Sequence, residues 1–137
     1  MLKIAGTAAA LSLLSFAAYA QGAAPATSLQ TSIPADTVTV TDWYKQSVYD
    51  PNDNKIGEIQ DVLVNKKTGQ VASVIIGVGG FLGAGEKDVA APISAIKVTN
   101  KNNNKNYLVM DTTKDALKSA PGFKYDRDST TWVPDKK

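Results

Sequence analysis

A chain of 137 residues with 15 Lys and Arg against 13 Asp and Glu has a formal charge of only +2, and the charges are scattered, without the basic stripe of a nucleic-acid-binding protein. It has no cysteine and no histidine, which removes disulfides, thiolate nucleophiles, Cys- or His-held metals and the commonest general base. There is room for one domain, held together by a small apolar core.

Met1-Leu2-Lys3 is a short positive start, Ile4 to Ala18 is an apolar run, and Ala18-Tyr19-Ala20 has the small-x-small form that signal peptidase reads. The run falls short of the ~20 apolar residues of a bilayer span. Residues 1–20 therefore read as a signal peptide. An uncleaved anchor is the competing reading, disfavoured by Ser and Gly within the run and by the good cleavage site. Cleavage after Ala20 removes Lys3, takes the formal charge from +2 to +1 and gives an exported, most simply periplasmic protein. No later stretch is apolar enough to be a transmembrane segment. Residues 21–37 are rich in Ala, Pro, Ser and Thr without an apolar period and predict a flexible leader. Ordered chain is expected from Val38, where VTVTDWY alternates and carries an aromatic pair.

Between Ser47 and Met110 the pattern predicts six short strands separated by turn chemistry. Ser47–Asp50 runs into PNDN and then Lys55–Asn65. There Ile56 and Ile59 lie three apart, so the alternation breaks at Gly57 and predicts a bulge. Asn65 to Gly69 predicts a hairpin turn with Gly69 at positive φ. On the return strand Ala72, Val74, Ile76 and Val78 are expected to face the core, opposite Val71, Ser73, Ile75 and Gly77. Asp88–Pro92 predicts a strand stopped by its proline, followed by a tight turn at Ile93–Ala95. Two further strands end in Tyr107–Asp111, joined by the Asn-rich loop Asn100–Asn106. Thr113 predicts the N-cap of a helix over Lys114–Ser119, ended by Pro121-Gly122. The tail, 123–137, keeps Phe123, Tyr125 and Trp132, expected to lie against the domain before a disordered end. The fold class is thus mainly β, a small six-stranded barrel or curled sheet over residues 38–122 with one short C-terminal helix. Closure would also remove exposed edges.

Three stretches invite a chemical reading. Gly80 and Gly85 have phosphate-loop spacing, but Glu86 intervenes before Lys87 and Asp88 replaces the hydroxyl, so two carboxylates sit where phosphate would go. Gly77-Val78-Gly79 likewise puts Leu82 where a dinucleotide fingerprint needs its third glycine, and no helix follows. Asp50, Asn52, Asn54 and Asp61 fall at positions 1, 3, 5 and 12 of a calcium loop, yet Lys55 replaces the required glycine and Asp61 the bidentate Glu. They stand as weak metal candidates against a turn and a strand. Asp61, among apolar neighbours, is expected to pair with a lysine or with backbone N–H groups. Ser73 and Ser94 lack a nucleophile elbow. No catalytic residue and no cofactor are indicated.

The remaining stretch is an interaction loop, Gly79, Gly80, Phe81, Leu82 and Gly83 with Glu86 and Lys87. Its Phe81-Leu82 tip is too apolar for a solvated turn. Either a partner covers it or it folds back on one barrel end.

Ile56-Gly57-Glu58, Asp61-Val62-Leu63-Val64, Thr68-Gly69, Gly79-Gly80-Phe81-Leu82-Gly83, Gly85-Glu86-Lys87 and Val89-Ala90-Ala91-Pro92, in that order, resemble the PRC-barrel domain over roughly Thr41 to Pro121. That domain is shared by the cytoplasmic part of the photosynthetic reaction-centre H subunit and the C-terminal part of ribosome maturation proteins. The resemblance implies a six-stranded barrel used for protein–protein contact, with no catalytic residues common to the family. The chain lacks the membrane helix of the H subunit and the RNA-linked domain of the ribosome factors, so neither role carries over. The expected function is that of a non-enzymatic exported module that binds another protein or itself. The alternative is a small-ligand or ion-binding periplasmic protein.

Overall fold

A computed structural model describes residues 27–79 and 85–136. The chain divides into two compact units, Met1–Ala35 and Asp36–Lys137. In the first, residues 27–35 are exposed and form neither helix nor strand, because their Ser, Thr and Pro offer no apolar stripe to bury.

The second unit opens with one helical turn, Val40–Trp43, and not with extended chain. Thr39 causes this: its Oγ1 accepts the Asp42 N–H at 3.0 Å, an N-cap, and the turn buries Trp43. Eight strands follow, β1 (Ser47–Tyr49), β2 (Lys55–Val64), β3 (Val71–Val78), β4 (Lys87–Pro92), β5 (Ile96–Lys101), β6 (Asn104–Met110), β7 (Phe123–Asp126) and β8 (Thr131–Pro134). They form one sheet in the order β5-β6-β1-β2-β3-β4-β7-β8, and its two end strands are not paired with each other among the described residues. The six strands read from the sequence are β1 to β6. The two further strands come from the tail, where no strand residue is buried and so no core face marks them. Its turn is closed by the Asp126 carboxylate, which accepts from the Ser129 N–H and hydroxyl.

β6 runs parallel to β1, Val48 opposite Leu108, so the last core strand returns beside the first. The turn between β5 and β6 is tighter than the Asn-rich composition suggests, because Asn102 and Asn103 both take positive φ and close it in two residues. Gly69 adopts φ 75° in the β2–β3 turn, where Asn65 accepts the N–H groups of Lys67, Thr68 and Gly69.

The irregularity predicted at Gly57 appears on both sides of β2. Ile56 is the extra residue against β1, and Gln60 is the extra residue against β3. These shifts let Ile56 and Ile59, three apart, both enter the core. Glycine is required between them, since a Cβ at Gly57 would lie 2.5 Å from Ile76 Cγ2 and 3.0 Å from the Gly77 carbonyl oxygen. A further shift leaves Ala72 as the unpaired residue of β3, exposed and not in the core as expected. Val48, Ile56, Ile59, Val74, Ile76 and Leu108 centre the core, and Leu117 of helix Lys114–Ser119 packs into it. That helix is capped as predicted, Thr113 Oγ1 accepting the Ala116 N–H at 3.1 Å. No helix among the described residues is long and apolar enough to cross a membrane.

Candidate functional site

The calcium-like residues are separated by the fold. Asp50 closes the β1–β2 turn, its Oδ1 accepting the N–H groups of Asn52 and Asn54, both at 2.9 Å, and its Oδ2 the Asn54 side-chain amide at 3.1 Å. The Asn54 backbone N–H foremost holds the Asp50 carboxyl below its usual value of 3.8; desolvation opposes it, and the Asn54 side-chain amide and the Asn52 N–H add to the lowering. Asp61 lies on β2 six residues beyond Lys55, on the order of 20 Å along the strand at ~3.3 Å per residue. Its Oδ2 accepts the Trp132 Nε1–H at 2.8 Å and its Oδ1 the Val62 N–H at 2.9 Å.

Of the two kinds of partner expected for Asp61, a backbone N–H is present, from Val62, and an indole stands in place of the lysine. The sequence offered a signal, since both a half-buried carboxylate and a tryptophan N–H need partners, but 71 residues separate the two. Ile75 stands directly opposite Asp61 and is fully buried, although it lies outside the main core cluster. Directly opposed side chains share a face of the sheet, so Ile75 lies on the face that carries Asp61 and its bond to Trp132.

Of the proposed interaction loop, Gly80, Phe81, Leu82 and Gly83 lie outside the described residues. Its two flanks are described, and both are held. Gly79 directly follows β3, and Val78 pairs with Lys87 at the last rung of the β3–β4 ladder. Lys87 Nζ donates to the backbone carbonyls of Lys118 and Ala120, the latter at 2.9 Å, and so caps helix Lys114–Ser119 at its negative end. Glu86 and Gln60 lie over Gly77, where an added Cβ would be 2.6 Å from Glu86 Oε1 and 2.8 Å from Gln60 Nε2. Gln60 in turn accepts from Lys45 Nζ at 3.4 Å.

Asp88, opposite Gly77, belongs to the same patch. Burial foremost, then the neighbouring Glu86 charge, push its carboxyl above 3.8, and Lys45 pulls the other way. An open groove of about 810 Å³ borders this root, floored by Gly57, Gly77 and Gly79. Lys55, Glu58, Glu86, Lys114 and Lys118 give it charge of both signs, with Lys55 and Glu58 paired at 3.6 Å. Among the described residues no group of three acidic side chains converges to hold a metal.

A family model, the PRC-barrel domain, matches residues 35–117, well over half of the chain. The chain belongs to the PRC-barrel domain family. The match begins just before the Thr39-capped turn and ends within helix Lys114–Ser119, so it takes in β1 to β6 and excludes β7 and β8. The PRC-barrel domain is in general non-catalytic. A search of curated proteins finds no match to this chain.

Proposed function

We propose that this PRC-barrel chain is a non-enzymatic module, exported to the cell envelope, that works by binding another protein through the loop around Gly79–Lys87. The observation that carries this reading is the fixed root of that loop. On one side the β3–β4 ladder ends at Val78–Lys87; on the other, Lys87 is pinned to the helix carbonyls, and Glu86 rests on Gly77. Flanks held in this way cost little further ordering when a partner binds between them. Phe81 and Leu82 supply the apolar anchor a partner would cover. The carboxylates that suggested ion chemistry have structural tasks, Asp50 in its turn and Asp61 on Trp132. Export rests on the signal-like residues 1–20, and cleavage after Ala20 is checked by N-terminal sequencing of protein recovered from the periplasm.

The test of the surface is the double substitution Phe81→Ser with Leu82→Ser. Partner capture by the mature chain is expected to fall at least about tenfold, the loss of roughly 1.4 kcal/mol or more, while the melting temperature holds. Capture at the wild-type level contradicts the assignment. The groove over Gly57, Gly77 and Gly79 favours a second reading, in which a small ligand bearing both charge signs binds there. That reading predicts a melting temperature that climbs with the concentration of such a ligand in a thermal-shift screen.

A further inference from the structure

The tail hairpin β7–β8 lies beyond the matched residues 35–117 and is built as a unit of its own. Its strands pair at four positions, and Tyr125 meets Trp132 edge-on at 6.0 Å. The Asp126 carboxylate closes its turn through the Ser129 N–H at 2.9 Å and hydroxyl at 2.6 Å, and the Asp135 N–H returns to the Gly122 carbonyl at 2.9 Å.

Its hold on the rest of the sheet is thinner. One ladder position, Asp88 opposite Phe123, joins it to β4, and Trp132 donates to Asp61. Lys87 anchors the chain just before it, at the Ala120 carbonyl, and the link that follows is Pro121-Gly122 with its proline exposed. The hairpin can therefore leave as a unit while helix Lys114–Ser119 stays in place.

Departure frees the Asp61 carboxylate of its indole donor and leaves β4 unpaired at Asp88. The segment that fits this surface is the hairpin itself, and a second copy of the chain carries one. We infer that two copies of this chain exchange their tail hairpins, β7–β8 of each lying on β4 and Asp61 of the other. Exchange creates no new contact, because closed and swapped forms differ only at the link. The closed monomer is favoured by the local concentration of its own tethered hairpin, on the order of millimolar for a short link. Exchange takes over as the chain concentration approaches that range. The inference deepens the reading of the chain as an association module, and it is tested on purified protein, so it can fail while capture of an envelope protein succeeds, and the reverse.

The natural absence of cysteine makes the test clean. One sample carries Asp88→Cys and another Phe123→Cys, positions that are cross-strand neighbours and so within disulfide reach. The two are unfolded together, refolded at about millimolar concentration, checked for native circular dichroism, oxidised and sized. A disulfide-linked pair containing one of each chain is expected. The double variant Asp88→Cys/Phe123→Cys, oxidised while dilute, is expected to stay monomeric at every concentration. The unsubstituted chain, sized by light scattering, is expected to show a dimer fraction rising roughly tenfold or more from ~10 µM to ~1 mM. A chain that remains monomeric throughout overturns the inference, as does a natively folded mixture without the linked pair. So does a dimer that persists in the oxidised double variant.

Discussion

Gly57 and Gly77 face each other's strands, yet the two glycines are needed for different reasons. A Cβ at Gly57 would meet a core methyl at 2.5 Å and a backbone oxygen at 3.0 Å, neither of which can move without disturbing β3. Gly57→Ala is expected to lower stability by about 1–3 kcal/mol in urea unfolding. A Cβ at Gly77 would meet only the ends of Glu86 and Gln60, flexible side chains that can swing away. Gly77→Ala is therefore expected to cost well under half as much, and equal losses would contradict this account. Asp88 provides the pH-dependent case. Its carboxyl is raised in the fold, by burial first and Glu86 second, so its stabilising contribution is whole below 3.8 and is lost as pH rises through the raised value. Asp88→Asn is expected to be more stable than the parent at pH 7, by no more than ~0.5 kcal/mol because water screens this half-buried group. That advantage should vanish below pH 3.8, and a variant less stable than the parent at pH 7 would refute the argument. Asp50 has the opposite sign. Its carboxyl is held low by N–H donors, so its contribution is present above 3.8 and fades as pH falls through the lowered value.

At the scale of elements, local chemistry was legible wherever one residue decides a feature. Thr113 marked the helix start, Gly69 the hairpin turn, and the broken spacing around Gly57 the bulge. Features that depend on distant partners were not legible. Nothing near Asp61 in the chain announces Trp132, and nothing near Lys87 announces the carbonyls of Lys118 and Ala120. The Val40–Trp43 turn escaped because alternation over seven residues also fits one turn of helix once Thr39 caps it. Lys87→Met keeps the aliphatic stem and removes the ammonium from the helix end, so it is expected to cost ~0.3–1 kcal/mol. Protection of helix amides from hydrogen exchange should fall before that of β2 and β3, and a uniform change across the domain would argue against a local cap. Trp132→Phe keeps an aromatic ring beside Tyr125 but leaves Asp61 Oδ2 without its indole donor, an expected loss of about 1.5 kcal/mol. Asp61→Asn, which retains an acceptor oxygen, is expected to lose less, and the reverse order would contradict the bond.

As a whole molecule, the chain is a PRC-barrel domain with a tail hairpin added to one side of its sheet. The mainly β class and the six family strands could be read from the sequence, because each is bounded by turn residues. The hairpin could not, since neither of its strands has a buried residue to give a core-facing pattern. Of the candidate surface, the sequence placed Phe81 and Leu82 between glycines, and the fold adds the reason that the flanks hold still: Lys87 on the helix end and Glu86 over Gly77. A non-catalytic fold with a rooted loop is suited to holding a partner. The most direct measurement of that claim is crosslinking in living cells with a photoreactive residue at position 82 of the full-length chain, followed by recovery and identification of the adduct. One reproducible envelope protein is expected to be joined at that position, and to be absent when the reactive residue is moved to exposed Asn102. A chain that crosslinks to nothing at position 82, or equally at both positions, would contradict it.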